Sequence, residues 1–390
     1  MRSRDRMMQR FVETSPRIPS TRLELLNHCT PSVLRSIRLL TTLACAVVFF
    51  GVPATAPTAH AADSITYPAN LRSGGGGGRH LVFLTGDEEY RGEEGLPMLA
   101  KLLSVRHGFR CTVLFPLDPD GTINPDNAAS LAGSEALESA DGLVMMLRFR
   151  RWPDAVMQRF ADAVDRGIPI IALRTSTHAF RFPEKAPTAF RAFNSFGRDV
   201  LGEGWVSHWG PNRQGATLSV VEAVNARHPI LRGVGPILAD SGVYEAHPVA
   251  DATILLRGQV LSGMNVSDPP ATFAKVRASD GVSQPVNEPM MPVAWFRERA
   301  REGGKPQRIV CTTLGAASDL TDEDLRRLVI NSVYWSFGLF IPGRADARVV
   351  DPYAPTPYRF GGYLRGVRPA DHAIGHKLPS ATPAASGPTP

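Results

Sequence analysis

The chain has 390 residues, room for two or three domains, but roughly its first sixty and last fifty residues differ in composition from the middle. What lies between suits one large α/β domain with its own core. The formal net charge is +6, yet residues 1–61 hold eight Arg against Asp5, Glu13 and Glu24, a net of +5, so the rest of the chain is close to neutral and does not support a nucleic-acid groove.

Residues 1–61 read as an export leader. Arg35 and Arg38 precede an apolar run from Leu39 to Val52, and Ala59-His60-Ala61 has the small-x-small form of a cleavage site. The run is short for a membrane span and gives way abruptly to Pro and Thr. The expectation is a periplasmic or extracellular protein, touching a membrane only through a leader left uncleaved. Cys29 and Cys45 leave with the leader. Cys111 and Cys311 lie in apolar runs, where a cysteine is usually a small hydrophobe; pairing between them stays open.

Residues 62–78, ending in a glycine run, read as a linker. Then a β–α rhythm begins. HLVFLT (80–85) is a continuous apolar strand, as expected where helices cover both faces of a parallel sheet. Leu96, Leu99, Leu102 and Leu103 follow at helical spacing, and Gly108 can end that helix. CTVLF (111–115) is the second strand, and a short helix is predicted near Ala129–Glu138. GLVMML (142–147) is the third strand; a helix with Pro153 in its first turn buries Val156, Phe160 and Val164. IPIIAL (168–173) is the fourth. This order implies a doubly wound, mainly parallel sheet. The second half is less regular. Strands are predicted at 216–223, 252–261, 290–296 and 308–314, some forming a mixed extension, before a final helix capped by Thr321 and running to Phe337. Residues 79–341 form the expected domain, and residues 342–390 a Pro/Gly-rich tail.

Ligands of open parallel sheets bind at the carboxyl ends of the strands. Three post-strand loops are dense in polar groups: Asp87, Glu88, Glu89 and Tyr90; Arg148, Arg150 and Arg151; and Arg174, Thr175, Ser176 and His178. Taken singly, the acids and arginines read as ordinary solvated or ion-paired loop residues. Taken together, they predict a binding site. Arg174 is the sharpest candidate, able to clamp a carboxylate, a phosphate or hydroxyls, with pairing to Asp87 or Glu88 as its structural alternative. Ser176 lacks a G-x-S-x-G elbow. Trp205 and His208 lie in a Gly/aromatic loop suited to a sugar ring, and Glu245 stands between Tyr244 and His247. No HxH or HExxH spacing marks a metal site, and no cofactor is expected.

The segments ALRTSTHAF, GEGWVSHWG, HPILRGV with VYEA, PVAWFRE, RIVCTTLGAASD and LRRLVINSVYWSFGL occur in an order that resembles the ThuA-like (trehalose utilisation) family over residues 80–340. That family is a branch of the class I glutamine amidotransferase-like, flavodoxin-like α/β fold. The resemblance implies a role in carbohydrate metabolism with a disaccharide or keto-sugar as substrate. By position, Arg174 stands where class I amidotransferases keep their cysteine, which disfavours amidotransferase activity, and Ala316 stands where related members have a His. His208 and Glu245 match polar positions of the family and are the expected acid–base pair, with His178 near them; Asp87, Glu88, Tyr90, Arg148, Arg150, Arg174, Thr175, Ser176 and Trp205 are the expected substrate contacts. A non-catalytic sugar-binding or scaffold protein is the alternative, and a homodimer is left open.

Overall fold

The computed structural model describes residues 63–378, so the leader reading and the end of the tail lie outside the described residues. In chain order the elements are β1 (Ser64–Tyr67), β2 (His80–Gly86), α1 (Gly92–His107), β3 (Arg110–Leu114), β4 (Gly142–Leu147), α2 (Asp154–Asp165), β5 (Ile170–Leu173), β6 (Ser207–His208), β7 (Thr217–Val221), β8 (Leu238–Ala239), β9 (Tyr244–Glu245), β10 (Thr253–Val260), β11 (Ala274–Val276), β12 (Ser283–Pro285), β13 (Met291–Arg299), β14 (Gln307–Thr312) and α3 (Glu323–Ser336). A ten-stranded sheet runs β1-β3-β2-β4-β5-β14-β13-β10-β7-β8. The block β3-β2-β4-β5-β14 is parallel, and β13, β10, β7 and β8 extend it antiparallel. This is the mainly parallel α/β sheet with a mixed extension that the sequence implies.

Alternation along the central strands explains why their sequences are apolar throughout. Leu81 and Phe83 of β2 pack into a core with Leu96, Leu99 and Leu103 of α1 and Leu325 and Leu328 of α3. Val82 and Leu84 face the other way, into a core with Met157, Phe160 and Val164 of α2. Successive side chains point to opposite faces, and both faces are covered, so apolar residues dominate, and a buried polar one such as Thr85 donates to the Leu114 carbonyl. Cys111 in β3 and Cys311 in β14 are buried and free, with β2, β4 and β5 between their strands. That settles the open pairing against a disulfide.

Three local readings differ. The helix expected near Ala129–Glu138 is a 3-10 turn at Ser134–Ser139. The final helix is capped by Asp322, whose carboxylate accepts from the Asp324 and Leu325 N–H groups at 2.8 and 3.1 Å; Thr321 instead donates to the Ser318 carbonyl. Within the described residues, 63–78 is no free linker. Its first part is β1, paired antiparallel with β3, and Gly76 and Gly78 donate to the His107 and Gly108 carbonyls at the end of α1. Gly108, at φ 72°, has the Ser73 carbonyl oxygen 2.4 Å from where a Cβ would stand, so a side chain there is excluded on both counts.

The tail reading needs the larger revision. Residues 343–378 lie against α1 and α3, with Ala345, Ala347, Tyr358, Tyr363 and Val367 buried. Lys101 reaches Asp351 at 2.6 Å, Arg326 donates to the Ala347 carbonyl at 2.7 Å, and the Tyr67 hydroxyl donates to the His372 carbonyl at 2.7 Å. The packed body therefore begins before residue 79 and continues past residue 341.

Because Asp322 satisfies two orphan N–H groups and also accepts from Leu238 N–H, Asp322→Ala is expected to lower stability by about 1–2 kcal/mol in urea denaturation. Thr321→Ala, at an exposed position, should stay within about 0.5 kcal/mol of the parent protein.

Candidate functional site

The loops after β2, β4, β5 and β14 meet at the carboxyl edge of the parallel block. The Asp87 carboxylate accepts the Glu89 N–H at 2.8 Å and the Tyr90 N–H through one oxygen, and the Thr175 hydroxyl through the other. It folds its own loop and ties that loop to the turn after β5. Glu88 bridges the third loop, paired with Arg148 and, at 2.9 Å, with Arg150. Arg150 is 1% exposed and spends its remaining donors on the Arg148, Pro125 and Asn127 carbonyls.

Arg174 opens the turn after β5 at φ 45°, a left-handed conformation that few non-glycine residues adopt. Its guanidinium is fully enclosed. It donates to the Gly242 and Thr313 carbonyls at 2.8 and 2.7 Å and to the Tyr90 hydroxyl at 3.1 Å, and it lies between the rings of Tyr90 and Tyr244, 4.5 and 4.0 Å from their centroids. The clamp expected of Arg174 is thus closed on the protein itself, and the suggested pairing with Asp87 or Glu88 is replaced by carbonyl and aromatic partners. Asp87, Tyr90, Thr175 and Ser176 are enclosed with it; the Ser176 hydroxyl donates to the Met145 carbonyl at 2.9 Å. These five expected contacts build the site's floor.

The expected pairing of Glu245 with His208 is overturned. In the β6–β9 ribbon Ser207 faces Glu245 and His208 faces Tyr244, so the two residues project to opposite faces. The Glu245 carboxylate accepts from the Ser207 hydroxyl (2.9 Å) and from the Ala278 and Ser279 N–H groups (2.8 and 2.9 Å), with His247 Nε2 at 3.4 Å. Burial alone would raise its pKa, but these donors win and lower it to about 2. A carboxylate held this way is a fastener for the 278–279 turn, not a proton carrier.

What does face the rim is a wall of rings. His178 lies 5.0 Å from Phe149 and 5.3 Å from Trp205, and Trp205 lies 6.2 Å from His208, which packs edge-on against Tyr244. Trp205 is 41% exposed. Burial, then the Arg174, Lys275 and Arg148 charges, push the His208 imidazole down to about 4; burial, Arg148, Arg174 and His208 hold His178 well below its ordinary value. Both rings are neutral at ordinary pH. Glu89, read from sequence as a solvated loop acid, is largely buried, and no protein group among the described residues hydrogen-bonds its carboxylate. Burial and Asp87 raise its pKa against the pull of Arg148, Arg174 and Arg213. The sequence offered no signal to separate Glu89 from Glu88 beside it.

Among the described residues no three His, Cys, Asp or Glu side chains gather as a metal-binding group. No family model matches the sequence, and no curated protein matches it. Similarities to solved structures are distant. One described as a ThuA-like protein of Bacteroides uniformis is 13% identical with a TM-score of 0.39, over 66% of this chain and 90% of that one. Another so described, from Parabacteroides merdae, is 14% identical with a TM-score of 0.41, over 72% of this chain and 97% of that one. PurLQS from Thermotoga maritima matches at 11% identity and a TM-score of 0.33, over 66% of this chain and 98% of that one. At such scores the chemistry rests on this chain's own residues.

Glu245 supplies a pH test. Its pKa falls from 4.5 to about 2 on folding, so its contribution is complete above pH 4.5 and is lost as the pH drops through about 2. Glu245→Gln should cost roughly 3 kcal/mol at pH 7 and flatten the acid limb of stability between those values, measured by denaturation across pH. An unchanged acid limb would show that the carboxylate is not held as described.

Proposed function

We propose that the protein is exported and serves carbohydrate metabolism, acting on a disaccharide or keto-sugar by acid–base chemistry and without amidotransferase activity. The observations that carry this reading are the ring wall of His178, Trp205 and His208 and a largely buried Glu89 carboxylate on the loop after β2. Both imidazoles and Glu89 lie in the field of the same two guanidiniums, Arg148 and Arg174. In this reading Trp205 stacks on the apolar face of a sugar ring. Glu89 removes a proton from a hydroxyl or from the carbon beside a ketone, a task suited to a carboxylate whose pKa is raised. A neutral imidazole and the exposed part of Arg148 donate to the oxygen on which negative charge develops. A thiolate route has no support: Arg174 occupies the turn after β5, and burial pushes the Cys111 and Cys311 thiols well up in strands of the sheet.

Binding without turnover is the second reading, favoured by the fastened Glu245 and by Ala316, enclosed with its N–H on Asp319. Incubation with keto-disaccharides and their parent disaccharides separates the two. Turnover is expected, falling ~10²–10⁴-fold in Glu89→Gln with the fold intact. Activity should rise with pH through the raised Glu89 pKa, and neutral His178 and His208 should add no inflection above about pH 4. Binding with no product in any of these mixtures selects the second reading. The absence of both binding and product removes the carbohydrate assignment.

A further inference from the structure

Beside the ring wall opens a cavity of about 840 Å³. Two residues belong to both places. Phe149 lines the cavity and packs on His178 at 5.0 Å, while Glu88 lines it and binds Arg148 at the rim. The cavity is rich in guanidinium groups: Arg150, Arg151, Arg181 and Arg191 line it. Arg150 is spent on Glu88 and three carbonyls, and Arg191 donates to the Glu184 carbonyl. The side chains of Arg151 and Arg181 have no hydrogen-bonded acceptor and no ion-pair partner among the described residues.

Their backbones, by contrast, are fixed. A parallel bridge joins Arg150 to Phe180; Arg181 N–H donates to the Arg150 carbonyl at 3.1 Å, and Arg151 N–H to the Ala128 carbonyl at 2.9 Å. The two free guanidiniums therefore spring from adjoining, pinned strands of chain, and Arg181 sits 5.1 Å over the Phe149 ring. Of the three carboxylates lining the cavity, Glu88 is already shared between two arginines, leaving Asp126 and Glu184. With Arg148 at the rim, guanidiniums outnumber carboxylates, and two of them carry planar forks that match a carboxylate's two oxygens.

We propose that this cavity is an acid-recognising subsite that takes the carboxylate of a hexuronate unit, with the adjoining neutral sugar on the Trp205–His178 wall. The inference rests on the carbohydrate reading above and narrows it to acidic saccharides. Phe149 joins the two halves, packing on His178 of the ring wall at 5.0 Å and lying 5.1 Å from the Arg181 guanidinium.

Calorimetric titration of the full chain with cellobiouronic acid, cellobiose and glucose 6-phosphate tests it, alongside an Arg151→Gln, Arg181→Gln double variant. Both positions are exposed, so the variant should unfold at the temperature of the parent protein. The parent is expected to bind the uronic disaccharide about tenfold more tightly than cellobiose, and the double variant to bind the two alike. The preference should also shrink in high salt. Equal binding of acid and neutral sugar by the parent, or a preference that survives in the double variant, overturns the subsite and leaves the carbohydrate reading standing. Tighter binding of the sugar phosphate than of the uronate overturns the carboxylate assignment. Failure of both disaccharides to bind removes the subsite and the reading together.

Discussion

The rim is organised by a buried positive charge with no carboxylate bonded to it. Enclosing a guanidinium costs several kcal/mol unless donors and charge are both met. Here two backbone carbonyls and one phenol accept from its two terminal nitrogens, and the rings of Tyr90 and Tyr244 lie 4.5 and 4.0 Å from it. Each aromatic face is worth about 0.5–2 kcal/mol when water is excluded. Burial works against the charge, but Tyr244, Tyr90 and Asp319 outweigh it and raise the Arg174 pKa, so the group stays ionised. Its partners come from the loop after β2, the end of β14, the approach to β9 and β9 itself. Removing Arg174 would unfasten four segments at once.

The same charge sets the protonation states around it. His178 and His208 lose their protons to burial and to the field of Arg174 and Arg148 together. Glu89 feels that field in the favourable sense, yet its pKa still rises, because no donor replaces the water it has lost. Glu245, 1% exposed, moves the other way. The difference is hydrogen bonding: three donors and a nearby imidazole ring for Glu245, none for Glu89. Two glutamates of one protein thus divide into a fastener and a candidate base by local donors and by the Asp87 charge near Glu89, and neither assignment depends on distance along the chain.

Much of the architecture was legible because its cause is periodic. GLVMML predicts a strand buried on both faces, and Gly142–Leu147 forms one with every residue buried. Gly108 predicts a helix end and supplies it at φ 72°. The convergence of the loops bearing Asp87, Arg148 and Arg174 was legible too, from the rule for open parallel sheets. The functional split among those residues was not. Whether Glu88 or Glu89 meets an arginine depends on side-chain direction in an irregular loop, which no spacing encodes. Glu245 and His208 failed for a more specific reason: their antiparallel register puts them one step apart in a ribbon of period two, and that register is fixed by long-range pairing.

The tail was misread because it packs without periodicity, and its packing completes the site. Its Pro, Gly and Arg content resembles an unfolded segment, but Tyr353 and Tyr358 anchor it through hydroxyls on the Ala317 and Asp240 carbonyls. Tyr358 lies 4.9 Å from the Tyr90 ring, Arg213 and Arg91 donate to the Tyr358 and Arg359 carbonyls, and Glu94 of α1 accepts from Thr356. These contacts shut water away from the far side of Tyr90, whose other partner is Arg174. Tyr358 thereby joins the enclosure around Tyr90 and lies in the field of Arg174. The chain beyond residue 341 is therefore part of the electrostatic apparatus of the rim, and the boundary of the domain is the boundary of the site.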